Sequence, residues 1–342
     1  MRSLTLAFLL PLGLLMATPA ASAQVPAPVP ACSITDPEVA ELSGLVADDE
    51  HWYAVNDGGT AATVFVLGKD CQVQDTITGA VDPYDVEDLA LGPDGTFWLS
   101  DTGDNDADRD TVALISLTPS GETALYRLTY PDGKHDAEAL LLDRAGNPYI
   151  ITKSPLGTAD VYRPATPLTS PGPTPLQHVM AVRLSSTDTP GGPVPGIVGS
   201  VTVTGAAASP DGTAIALRTY TDAYLFPVKD DDVVGAFSAK PVRVPLPDEA
   251  QGEAIAFQPD GSLLSASEGV GQPVRSVAGA VRLVAPEPPP PPAKPKPEAA
   301  SNVPESPPAE EGLPVIPAAV VTIVVLAGVY LLFRWMRGRK AY

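Results

Sequence analysis

Cysteine and histidine are scarce in this chain of 342 residues, which holds two cysteines, Cys32 and Cys71, and three histidines, His51, His135 and His178. There is no Cys-x-x-Cys pair, so a structural zinc site or a redox dithiol lacks its ligands. No Gly-x-Ser-x-Gly elbow and no glycine loop for phosphate occur either, which argues against serine-hydrolase and nucleotide chemistry. Positive charge is also sparse. The chain carries 21 Lys and Arg against 41 Asp and Glu, a net charge of −20. Such a field repels phosphate backbones and excludes general nucleic-acid binding.

What the chain has is a phrase repeated five times. Ser43-Gly44-Leu45 leads to Trp52-Tyr53, and Glu87-Asp88-Leu89-Ala90 leads through Pro93-Asp94-Gly95 to Phe97-Trp98. Glu138-Ala139-Leu140 leads through Ala145-Gly146 to Tyr149-Ile150. The last two copies are Gly205-Ala206-Ala207 before Pro210-Asp211-Gly212, and Glu253-Ala254-Ile255 before Pro259-Asp260-Gly261. Each copy is an apolar strand, a turn and a second apolar strand. Hairpins recurring at about 40–50 residues predict an all-β fold, a single β-propeller. The second copy divides into four strands, at 89–92, 97–101, 112–117 and 124–130, the complement of one blade. Five copies predict five blades, and a degenerate sixth within 155–200 is the alternative. The fifth copy is short of an outer strand, which residues 32–39 would supply, closing the ring and leaving no free sheet edge.

The two ends differ from this body. Arg2, the apolar stretch 4–16 and Ala21-Ser22-Ala23 predict a signal peptide over 1–23, with a mature chain from Gln24. Residues 313–333 carry no charge and are long enough for a hydrocarbon core of roughly 30 Å. Arg334, Arg337, Arg339 and Lys340 follow, so the tail 334–342 is predicted cytoplasmic and the body extracellular, a single-pass cell-membrane protein. Between them, 286–312 is a linker with five consecutive prolines at 288–292, extended in the polyproline manner at about 3.1 Å per residue. Set apart from Arg2, the tail cations and the linker's five Glu and two Lys, the body 24–285 carries a charge near −22. Outside the membrane, Cys32 and Cys71 are expected to form a disulfide. Its loop of about 40 residues stabilises by up to roughly 4 kcal/mol in the chain-entropy picture.

In a propeller the first strand of each blade lines the channel. Glu87, Glu138 and Glu253 start three such strands, and Asp57, Asp101, Lys153, Arg218 and Glu268 end the second strands at the same mouth. Converging carboxylates repel unless a cation binds, a proton is retained at a raised pKa, or basic residues intervene. Lys153 and Arg218 make the last a real option. The catalytic candidates are Glu87, Glu138 and Glu253, with His135 beside Asp136 as a possible orienting base. A second acidic concentration, Asp101, Asp104, Asn105, Asp106, Asp108 and Asp110, offers oxygen ligands for calcium. It is no EF-hand, because Arg109 stands where the loop glycine belongs and Ile115 where the closing Glu belongs. Asp101, Asp104, Asn105 and Asp106 are the metal candidates.

Several phrases together resemble an uncharacterised family of secreted actinobacterial β-propeller-like proteins. They are Asn56-Asp57-Gly58-Gly59, Asp101-Thr102-Gly103-Asp104-Asn105, the run from Tyr130 to Leu140, Leu217-Arg218-Thr219-Tyr220, and Gln251-Gly252-Glu253 with Ser267-Glu268-Gly269. The resemblance spans about 33–277 and implies a propeller. The strand-initial Glu and the Pro-Asp-Gly turn are more loosely similar to esterase-like, phytase-like and lactonase-type propellers. Two functions follow as expectations. One is a binding module for a cell-envelope polymer or an exported protein. The other is a calcium-dependent hydrolase of ester, lactone or phosphoester bonds.

Overall fold

The computed structural model describes residues 25–194 and 196–285. The expected signal peptide, linker, membrane span and tail lie outside the described residues. Among those described, no helix is long and apolar enough to cross a membrane. Twenty strands carry the described fold, which is all-β and propeller-like.

Four consecutive antiparallel meanders account for sixteen strands. The first is β2 (Leu42–Ala47), β3 (Trp52–Asn56), β4 (Thr63–Leu67) and β5 (Val73–Thr78). The second is β6 (Val86–Leu91), β7 (Phe97–Asp101), β8 (Val112–Leu117) and β9 (Thr123–Thr129). The third is β10 (Ala137–Leu142), β11 (Pro148–Thr152), β12 (Thr158–Pro164) and β13 (Thr174–Arg183). The fourth is β14 (Val203–Ala208), β15 (Ala214–Thr219), β16 (Asp222–Pro227) and β17 (Val242–Pro245). A short parallel contact, Thr174↔Leu128 and Pro175↔Thr129, joins the second and third meanders into one eight-stranded sheet.

The last unit is assembled from both ends of the described chain. β18 (Gly252–Phe257), β19 (Leu263–Ser267) and β20 (Pro273–Val277) are completed by β1 (Val29–Ser33), which runs antiparallel to β20. The closing strand therefore precedes the expected 32–39. Pro37 cannot donate to a ladder, and Asp36 caps a 3-10 turn over Pro37–Val39 by accepting the Glu38 N–H at 2.9 Å. A Cys32–Cys71 disulfide, with Cα atoms 5.8 Å apart, ties this strand to the β4–β5 turn of the first unit. Residues 155–200 form β12, β13 and a five-residue helix, α1 (Ile197–Val201), and supply no further four-stranded unit.

Local chemistry explains the repeat. In the β6–β7 turn Gly95 has φ +82°, its N–H bonds the Gly92 carbonyl at 3.0 Å, and the Asp94 carboxylate accepts the Thr96 N–H at 3.1 Å. The same left-handed glycine recurs at Gly146, Gly212 and Gly261, so the first hairpin of each unit from the second to the fifth is fixed by one residue without a Cβ.

First strands pack beside one another in the order β2, β6, β10, β14, β18 and back to β2. Between successive units lies an apolar wedge; Val55 and Val64 of the first meet Leu89, Leu99 and Ile115 of the second, all fully buried. Each such side chain contributes roughly 1.5–3 kcal/mol of burial. The centre is tighter still: a Cβ on Gly44 would stand 2.4 Å from the Leu89 nitrogen.

Candidate functional site

Every first strand begins at the same mouth of the central channel and carries the same defect there. The antiparallel register slips between Leu42 and Gly44, Val86 and Asp88, Ala137 and Ala139, Val203 and Gly205, and Gly252 and Ala254. The residues left unpaired are Ser43, Glu87, Glu138, Thr204 and Glu253. A bulge re-aims the extra side chain, and here it repeats around one ring. The three glutamates do occupy equivalent positions, and all three are buried. The fourth-unit counterpart is Thr204, whose hydroxyl donates to the Gly252 carbonyl at 2.8 Å.

The second-strand set needs correction. Asn56, Asp101, Thr152, Thr219 and Ser267 pair with the first residues of the inner strands. Asp57, Lys153 and Glu268 lie one step beyond that row, with Thr102 and Tyr220 as their counterparts. Asp101 lies within the row and Arg218 one step before it. A one-residue offset sends a side chain to the opposite face. Asp101 accordingly pairs with Arg109 at 3.0 Å and accepts the Asp85 N–H at 3.0 Å. Arg218 is fully buried between the fourth and fifth units and pairs with Glu249.

The acidic loop after β7 does not converge as a metal cage. Asp104 spends its carboxylate on its own loop, accepting the N–H of Asp108 at 2.9 Å and of Arg109 at 3.1 Å. Asn105 and Asp106 are exposed. Among the described residues the group that converges is Glu87, Asp136 and Glu138, each with a carboxylate oxygen within 4.8 Å of the others. Asp85 joins its edge. A Cβ on Gly103 would stand 2.2 Å from Glu87 Oε1 and 2.3 Å from Asp85 Oδ2, so the bare backbone of Gly103 makes room for both. Sequence reasoning did not single out Asp85, and took Asp136 only as a neighbour of His135 and Gly103 only as part of the Asp101–Asn105 phrase. The signal was there as a repeated Asp-x-Glu, Asp85-Val86-Glu87 and Asp136-Ala137-Glu138.

One cation serves this set directly: Lys153 forms an ion pair with Glu138. The electrostatic consequences follow from burial and crowding. Desolvation, then the charges of Glu138 and Asp85, pushes the Glu87 carboxyl far above its usual range. Desolvation likewise raises Glu253, with Glu138 adding to it. Glu138 is raised by burial and held back by Lys153. At the rim, burial and Asp57 lift Asp85 to about 6, and burial and Asp57 lift Glu268 to about 7.

His135 stands apart from the glutamates. Its Nε2 lies 3.0 Å from Asp132 and 3.1 Å from the Tyr162 hydroxyl, with the Tyr130 ring centre 4.9 Å away.

These shifts give a pH dependence with a defined sign. An acid whose pKa is raised by folding stabilises the native state below its unfolded pKa and loses that contribution as pH rises through the folded value. Stability should therefore fall between about pH 4 and pH 7. Asp85 and Glu268 are half-exposed, so solvent screening cuts each contribution to about 1 kcal/mol. Together they lower Tm by about 4–8 °C over that interval. Thermal unfolding in chelator reads this directly, and Asp85→Asn with Glu268→Gln should flatten the slope. A Tm that rises with pH would contradict the assignment.

No protein-family model matches the chain, and no curated protein matches it. Solved structures similar to it include virginiamycin B lyase from Staphylococcus aureus, at 12% identity and TM-score 0.36 over 70% of this chain and 66% of that one. A gluconolactonase from Xanthomonas campestris matches at 16% identity and TM-score 0.39, over 75% of this chain and 89% of the enzyme. The chain thus spans just under two thirds of the lyase it matches. At this level nothing about substrate or residue roles passes to this chain, and its fold stands on its own strand pairing.

Proposed function

We propose that this protein is a five-bladed propeller, held outside the cell membrane by the 313–333 segment, that works as a cation-assisted binding module at the cell envelope. The observation that carries the proposal is the Glu87, Asp136 and Glu138 group, three carboxylates gathered at one channel mouth with one ammonium between them. A hard divalent cation such as calcium suits an all-oxygen set of this kind, and binding it would displace Lys153 from Glu138 and expel the proton that crowding keeps on Glu87. The cation's remaining positions would take oxygens from the ligand. The Cys32–Cys71 disulfide supports an oxidising compartment.

The test is thermal unfolding of the protein in calcium and in chelator. At calcium a hundredfold above Kd the native state gains about 2.7 kcal/mol. In a domain of this size that raises Tm by roughly 5–10 °C. Glu138→Gln and Asp136→Asn should abolish the rise. An identical Tm in calcium and chelator removes the cation from the proposal.

A second reading, a calcium-dependent hydrolase of ester, lactone or phosphoester bonds, is favoured by one feature. A Glu87 that keeps its proton beside a metal-capable oxygen set has the makings of a general acid. It requires metal-stimulated turnover that Glu87→Gln eliminates.

A further inference from the structure

The loops at the two ends of the channel differ in a way that the cation site does not explain. Strand direction assigns them: connections into each first strand, and from each second to each third strand, lie at the glutamate mouth. Among the described residues seven large apolar side chains are exposed, and six of them, Tyr84, Leu156, Val194, Ile197, Val198 and Val270, sit on mouth-side loops or on α1 beside them. Only Val29 lies at the other end.

These six form a rim with its own support. Leu156 is 90% exposed, yet its loop is fixed against α1: the Leu184 N–H donates to the Gly157 carbonyl at 2.9 Å, and a Cβ on Gly157 would stand 3.1 Å from Val201 Cβ. Leu156, Ile197 and Val198 therefore share one ledge. Across the mouth Tyr84, 71% exposed, lies on the Arg109 guanidinium at 4.6 Å, which holds its ring in place. Inside the rim stand the carboxylates of Asp57, Asp85, Glu253 and Glu268, at the mouth ends of the first and second strands, with Lys153 and Arg109 as the cations beside them. The described chain ends at 285, beyond a short 3-10 helix (Ala280–Leu283) whose Val281 donates to Gly261 in a far-side hairpin turn.

We propose that this mouth face docks a protein segment that presents Lys or Arg flanked by apolar residues, the cation entering among the carboxylates and the apolar neighbours resting on the rim. Charge complementarity selects the cation, and the exposed apolar rim selects its neighbours. The proposal rests on the binding-module reading of the mouth, and not on its metal.

The full chain is titrated in chelator with three fluorescent twelve-residue peptides: Lys alternating with Leu, Lys alternating with Ser, and Glu alternating with Leu. The Lys-Leu peptide should bind at least tenfold tighter than either control. Leu156→Ser and Ile197→Ser, both at exposed positions, should each weaken it severalfold with Tm unchanged, and Glu268→Gln should also weaken it while flattening the salt dependence. Equal binding of the two Lys peptides, or no effect of the rim variants, overturns the proposal, since diffuse attraction to an acidic protein then suffices. Capture of anionic phosphatidylglycerol vesicles without peptide binding overturns it in favour of a lipid surface. A calcium-induced Tm rise without peptide binding sinks this proposal and spares the cation site; peptide binding without the rise does the reverse.

Discussion

Replacing Glu249 with alanine is expected to destabilise the protein by about 3–5 kcal/mol, the cost of leaving a buried charge without its partner. Arg218 is fully buried and Glu249 nearly so, and they pair directly. The guanidinium also donates to the carbonyls of Ala254 at 2.8 Å, Ala266 at 3.1 Å and Thr219 at 3.1 Å. It thereby clamps β15 to β18 and β19 across the last junction of the ring. Glu249 in turn accepts the Ser265 hydroxyl at 2.6 Å. Gly252 belongs to the same design, because a Cβ there would lie on the Arg218 guanidinium. At roughly 2–4 °C per kcal/mol for a domain of this size, Tm should drop by about 10 °C. Glu249→Gln, which keeps a hydrogen-bond acceptor, should fall between wild type and alanine. The double variant Arg218→Met, Glu249→Leu should recover much of the loss, since both charges go together. A drop below about 1 kcal/mol for Glu249→Ala would show that water reaches the pair.

This pair also shows where sequence reading stops. The hairpins were legible because their cause is local: a Pro-Asp-Gly or Ala-Gly turn and a few alternating apolar residues lie within about ten positions of one another. The need for a closing strand was legible too, from the shortfall of the fifth copy, although Pro37 moved the strand earlier. The equivalence of Glu87, Glu138 and Glu253 followed from alignment of the copies. What failed was register. Asp101 stands one residue, and Arg218 two residues, before the row that holds Asp57, Lys153 and Glu268, and those offsets are set by inter-strand pairing and a bulge, neither of which is written in spacing along the chain. The metal candidates after β7 are close in sequence and do not form the convergent group, for a related reason. Their density in sequence says nothing about where the carboxylates point, and Asp104 turns back on its own loop amides. The convergent set combines residues some fifty positions apart, and the Asp-x-Glu repeat becomes meaningful only once the ring is closed.

The second large effect is expected at Asp88, one residue inside the glutamate ring. Its carboxylate is fully buried in the channel and accepts backbone N–H groups from three different first strands. Oδ1 takes its own neighbour Leu89 at 2.8 Å, and Oδ2 takes Leu140 at 2.8 Å and Ala206 at 3.1 Å. No cation is bonded to it, so burial pushes its pKa well up while the three N–H donors hold it down. Asp88→Ala leaves three inward-facing donors without an acceptor. At about 1 kcal/mol or more for each, the loss is roughly 3–4 kcal/mol. Asp88→Asn can keep one oxygen in place but turns an NH₂ toward a backbone N–H, so it should cost about half as much. The penalty should also depend on pH in one direction. A folded-state pKa above the unfolded value means that Asp88 contributes most in acid and less as pH rises through the folded value. The difference in stability between wild type and Asp88→Ala should therefore narrow from acid to alkaline pH. Denaturant titrations of both proteins across that range measure it, and a gap that widens with pH would mean that the charged carboxylate is the favoured form in the channel. The contrast with the mouth is physical: there carboxylates face one another around a single lysine, whereas Asp88 meets only backbone donors.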